Sequence, residues 1–262
     1  MKLHRINAVI LRQAYEARRN PDRLMDTLYW PVLDVFLWGF FTIYLARASQ
    51  LKPGLITFLL GSAILWGVFR AFQRDMTIGL LGDLWSRNLG NMFSTPLTIS
   101  EYMTALILAN LLKTFVGMTA AGLIAFTFYS YNFFRMIPML MPSLLNLIVF
   151  GFVVGLAITG LIFRFTTRIQ ALTWSFTGFL MPISCVFYPL SSLPKYLQPF
   201  AWALPSTHAF EGMRQVIAGG GVSMGHFGWG LLLNFVYFVL AAIFFRWMFE
   251  QARTRGLLIK HE

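Results

Sequence analysis

Six apolar runs, each close to the length that one bilayer crossing demands, constrain this chain more than any other feature. Crossing about 30 Å of hydrocarbon takes roughly 20 helical residues, and the runs fall near 27–47, 54–74, 102–129, 138–163, 170–190 and 227–249. The third, at 28 residues, exceeds one perpendicular crossing and reads as a tilted or projecting helix. Backbone in hydrocarbon must satisfy its own polar groups, so such runs fold as a helical bundle. No repeat of fixed period and no low-complexity linker interrupts them. Residues 1–262 therefore read as one all-α integral membrane domain with six transmembrane helices.

Composition excludes the soluble alternatives. Only 12% of the 262 residues are charged and 57% are hydrophobic, against about 25% charged in an ordinary soluble domain. A net charge of +11 would suggest nucleic acid as a partner for a soluble chain. Here the cations flank the apolar runs and form no stripe with interleaved aromatics, so nucleic acid is set aside. With the amino terminus inside, fifteen Lys and Arg face the cytoplasm, five face outward, and Lys113 falls within the third run. That excess places both termini in the cytoplasm. Residues 1–23 hold six Lys/Arg and no continuous apolar core, so no cleavable signal peptide is expected. Cys185 is the only cysteine and reads as a packed core thiol.

Between the runs lie the segments able to carry mechanism. Residues 2–19 put Leu3, Ile6, Ile10 and Ala14 on one helical face and Arg5, Arg12 and Arg19 opposite. This predicts an amphipathic helix within 1–23 lying in the membrane interface, or packed on protein. In 79–96, Leu81, Leu84, Trp85, Leu89 and Met92 recur at helical spacing, with Asp83, Arg87 and Asn91 on another face. A short cytoplasmic helix over 80–92 follows, ended by Pro96. Thr98 and Glu101 then have capping-box spacing at the start of the third run.

The outer segment 187–217 is too apolar for a solvated loop, yet Pro189, Pro194, Pro199 and Pro205 forbid one continuous span. Two short re-entrant helices over 191–217 fit it, the second opened by Ser206 or Thr207 and ended by Gly219–Gly221. Glu211 and Arg214, three apart, pair on one face of that second helix. His208 with Glu211 lacks a third ligand, so no metal site is expected. No P-loop pattern exists, so this chain binds no ATP in that manner. Asp34 and Lys113 are the unusual charges inside the bilayer, open to structural pairing or to a pathway role.

Six spans, a basic amphipathic first helix, a cytoplasmic helix after the second span and a Pro-rich outer hairpin together resemble the type-2 ABC exporter permeases. The closest local matches are Leu84 to Pro96, Tyr188 to Pro194 and Leu204 to Arg214, and the resemblance covers essentially the whole chain. It implies a permease subunit in the bacterial inner membrane, working as a homodimer above a separate ABC ATPase that carries ATP and Mg. This chain itself would bind no cofactor and catalyse nothing. Asp83, Leu84, Trp85, Arg87, Leu89 and Met92 would then couple to the ATPase, and Tyr188, Pro189, Pro205, His208, Glu211 and Arg214 would form the re-entrant gate. The implied cargo is a lipid-linked, glycan or amphipathic molecule moved outward from the cytoplasm or inner leaflet. The competing reading is an ion-coupled secondary transporter with Asp34 and Lys113 as its coupling charges.

Overall fold

The computed structural model describes residues 2–49, 53–86 and 88–255, and every regular element among them is helical. In chain order these are α1 (Leu3–Arg19), α2 (Pro21–Ser49), α3 (Pro53–Trp85), α4 (Leu89–Ser94), α5 (Ile99–Tyr129) and α6 (Phe133–Phe165). A 3-10 turn leads into α7 (Leu172–Ile183), followed by the short α8 (Gln198–Trp202), α9 (Pro205–Ile217) and α10 (Met224–Thr254). Among the described residues, four helices are long and apolar enough to cross a membrane: Thr27–Leu45 within α2, α5, α6 and α10.

The other two runs depart from the sequence reading. In the second, α3 does not stop at 74 but continues to Trp85. It carries Arg70, Arg74, Asp75 and Asp83 without breaking, because ion pairs take up those charges. In the fifth, α7 is helical over only 12 residues, about 18 Å of rise. Cys185 stands just past its end with a left-handed backbone, φ 54°, which terminates the helix as such a residue does at that position. Pro189 then opens a separate 3-10 turn, Leu190–Ser192.

Helix α6 is the axis of the bundle, and it runs parallel to both neighbours it packs on: Asn146 meets Asn234 and Phe163 meets Phe249 of α10, while Gly151 meets Phe69 and Gly155 meets Met76 of α3. Two thirds of its apolar stretch is buried (67%), against 17% for α2 and α10. Close packing on α3 is set by small residues: an added Cβ at Gly151 would lie 2.9 Å from the Phe69 carbonyl oxygen, and one at Gly155 3.1 Å from Met76 Sδ. Small residues one turn apart let two backbones approach where the surroundings offer no hydrophobic drive. The two ends of the bundle differ. One carries α1, α4 and the start of α5; the other carries the α8–α9 hairpin.

Candidate functional site

At the α1 end, the buried face of the first helix is Ile6, Val9 and Gln13, while Leu3 and Ala14 are exposed. Two of the three arginines on the expected cationic face, Arg5 and Arg12, are engaged with protein, while Arg19 is exposed. Arg12 Nη2 donates to Asp83 Oδ2 at 2.6 Å, its Nη1 lies 2.5 Å from Oδ1, and the Tyr102 hydroxyl donates to Oδ2 at 2.6 Å. Arg5 donates to the Pro96 carbonyl and approaches Glu101 at 3.5 Å. Glu101 is the third residue of α5 and closes a capping box with Thr98, as its spacing predicts. Its carboxylate also accepts the Lys2 backbone N–H at 2.7 Å. Three separate stretches of chain are thereby tied into one plate.

The single helix expected over 80–92 is divided. The last turn of α3 supplies Leu81, Asp83 and Leu84, all buried, and Trp85, which is 53% exposed. After a turn at Ser86, α4 supplies half-buried Met92 and exposed Asn91. Arg87 and the side chain of Leu89 lie outside the described residues. Asp83 and Leu84 cannot meet a partner directly, since the fold itself covers them. What remains presentable is the exposed Trp85 and, as a separate feature of the same end, a cleft of about 470 Å³ between α1 and residues 88–97, lined by His4, Arg5, Arg12, Asn91, Met92 and Pro96.

At the opposite end, Pro205 is the first residue of α9, where its missing N–H costs nothing. The Glu211–Arg214 pair forms, with Arg214 Nη2 and Nε 3.0 and 3.2 Å from the two carboxylate oxygens. Both groups reach further. Glu211 accepts the Leu190 N–H at 2.7 Å, and Arg214 donates to the Cys185 carbonyl at 2.8 Å with its guanidinium 5.2 Å from the Phe58 ring centre. The pair therefore joins α9 to the irregular segment after α7 and to α3. The Tyr188 hydroxyl donates back to the Pro182 carbonyl, while Pro189 is exposed. Further bonds seat the hairpin: Ser143 Oγ to the Ala209 carbonyl at 2.8 Å, Ser184 with Ser206 at 2.8 Å, and Tyr237 to the Ala203 carbonyl at 2.9 Å. His208 is buried against Trp202 and His226, and that burial lowers its pKa from the usual imidazole value.

Midway along the bundle, Asp34 pairs with Arg70 rather than with Lys113. Lys113 is half-buried and has no hydrogen bond or ion pair among the described residues. Asp34, Arg74, Asp75 and Lys113 line one cavity of about 20 Å³, room for a single water.

Sequence reasoning missed the Arg12–Asp83–Tyr102 cluster, the Asp34–Arg70 pair and the His208–His226 contact. Each joins residues on different helices; for the first two the local signal was a carboxylate set among apolar neighbours, and for the histidine contact there was none.

An all-helical bundle with four helices able to cross a membrane is a multi-pass membrane protein. Residues 5–218 match the model of the ABC-2 type transporter family. The chain belongs to that family, whose membrane component is a permease that works with an ABC ATPase. No curated protein matches the chain.

Proposed function

We propose that this chain is the transmembrane subunit of an ATP-driven exporter, and that α3 and α7 complete six spans with both termini in the cytoplasm. It acts as a homodimer in a bacterial inner membrane and moves a lipid-linked, glycan or amphipathic substrate outward. The α1 end is the ATPase-docking face, and the α8–α9 hairpin caps the outer end of the pathway.

One observation carries this reading. The end of the bundle braced by Arg12–Asp83 and Lys2/Arg5–Glu101 presents a largely exposed Trp85 and an open cleft between α1 and residues 88–97. An exposed aromatic and a recess at one end of the bundle suit a partner that must push on two membrane helices at once, since α3 and α5 each have one end in the plate. Asp34, already matched by Arg70, is poorly placed to be the coupling charge of an ion-driven carrier. Neither ATP nor Mg is held by this chain; both belong to the ATPase subunit.

The deciding experiment is affinity purification from membranes, followed by ATPase assay and identification of bound lipid or glycan. Co-purification of an ATPase whose activity depends on this chain supports the proposal. Transport sustained by an ion gradient, with no ATPase bound, would overturn it.

A further inference from the structure

The protons of the His208–His226 pair can be placed from geometry. The Trp202 carbonyl oxygen only accepts, so His208 Nε2, 2.9 Å away, carries a hydrogen. In the neutral ring this leaves Nδ1 as an acceptor. The 3.2 Å contact between the two Nδ1 atoms then requires His226 to carry its hydrogen on Nδ1. One further proton fits, because it takes Nε2 of His226 and leaves the bond intact. A second does not. Its only site is Nδ1 of His208, where it sets two N–H groups and two positive charges against each other.

On α9 the charged groups acting on the pair are Glu211 and Arg214. Glu211 is the one that favours its charged form, and its carboxylate is already taken by Arg214. From α6 come Ser143 and Asn146, neither ionisable, lining a small cavity beside His208. Trp202, at the end of α8, lies edge-on to His208 at 4.5 Å and stacks on His226 at 5.9 Å between ring centres. His208 is only 2% exposed, so water cannot spread the new charge.

We propose that the His208–His226 pair is a proton-operated latch, whose double protonation releases α9 from the start of α10. Native His208 binds its proton more weakly than the unfolded chain does. The docked state is therefore at full strength above about pH 6.5 and loses stability as pH falls from there toward the lower native value. Any effect on transport rests on the hairpin being the outer cap; the protonation chemistry does not.

Hydrogen exchange on the full-length protein in lipid nanodiscs tests this, comparing residues 198–217 with α6 at pH 7.5 and pH 5.0 after correction for intrinsic exchange. The wild-type hairpin should lose about tenfold in protection at pH 5.0 while α6 stays constant. In His226→Asn the amide N–H replaces the Nδ1 donor at neutral pH, and after rotation its oxygen accepts from charged His208. That variant should match wild type at pH 7.5 and lose little at pH 5.0. Equal acid losses in the two proteins, or none in wild type, would overturn the latch. Because neither ATPase nor substrate is present, failure here leaves the exporter reading standing, and failure of that reading leaves this result standing.

Discussion

Arg12 and Asp83, on helices 71 positions apart in sequence, meet through contacts of 2.5 and 2.6 Å, and the Tyr102 hydroxyl closes on the same carboxylate. Asp83 is almost fully buried, so it depends on both partners. Truncation of Arg12 to alanine strands that carboxylate. The loss should be about 2–3 kcal/mol: more than the ~1 of an exposed pair, less than the ~3–5 of a fully buried one, because Arg12 is 30% exposed. Adding Asp83→Asn removes the stranded charge and should recover part of the loss, read as the thermal unfolding midpoint in nanodiscs. A double variant no more stable than Arg12→Ala would refute the clamp.

Trp85 separates a docking role from a structural one. Its side chain is 53% exposed, so Trp85→Ala should change stability by less than about 0.5 kcal/mol. As an anchor in an interface, the same truncation should cost at least about 2 kcal/mol of binding, roughly a 30-fold weaker hold on the ATPase. Unchanged ATPase affinity, measured by titration in nanodiscs, would remove Trp85 from the docking surface.

The proposed orientation puts Asn91 and Lys195 on opposite sides of the membrane, and both are exposed. Cysteine at 195 should react with an impermeant maleimide in intact spheroplasts, and cysteine at 91 only after lysis. The native Cys185 is buried and should stay silent. Reaction at 91 before lysis would invert the topology.

Packing of α6 on α3 gives a prediction with a built-in control. A Cβ at Gly151 would lie 2.9 Å from backbone oxygen of Phe69, which cannot rotate away. Gly151→Ala should therefore destabilise by about 1–3 kcal/mol. At Gly178 nothing stands within 4 Å, so alanine there should be neutral or gain up to about 1 kcal/mol of helix propensity.

What the sequence made legible was local. The Thr98–Glu101 cap and the Glu211–Arg214 pair both depend on three-residue spacing, which helix geometry converts directly into contact. The partners of Asp34, Asp83 and His208 depend on how helices pack, and no spacing records that. Two boundaries also failed for physical reasons. The fifth run is apolar to 190, but hydropathy does not register the left-handed turn at Cys185 that ends α7. The periodicity of 80–92 is real, yet its first half belongs to α3, whose buried face simply continues to Leu84.

The Glu211–Arg214 pair is the strongest test of the hairpin as a working part. Its side chains are 19% and 16% exposed, so each single truncation should cost about 2–3 kcal/mol, short of the ~3–5 for a fully buried pair. Each group also holds a backbone partner of its own, Leu190 N–H for Glu211 and the Cys185 carbonyl for Arg214. The double alanine variant therefore loses those two bonds in addition, and its damage should fall below the sum of the singles only by the direct coupling, about 1 kcal/mol or more. Substitutions of contacting residues show such non-additivity, whereas independent ones sum to within about 0.5 kcal/mol. A cycle of Glu211→Ala, Arg214→Ala and the double variant, followed by thermal stability and by export in parallel, reads both quantities. Coupling in stability and export together marks the pair as holding the closed hairpin. Coupling in stability alone makes it a structural brace, and strictly additive losses would show that the two groups act only through their separate backbone partners.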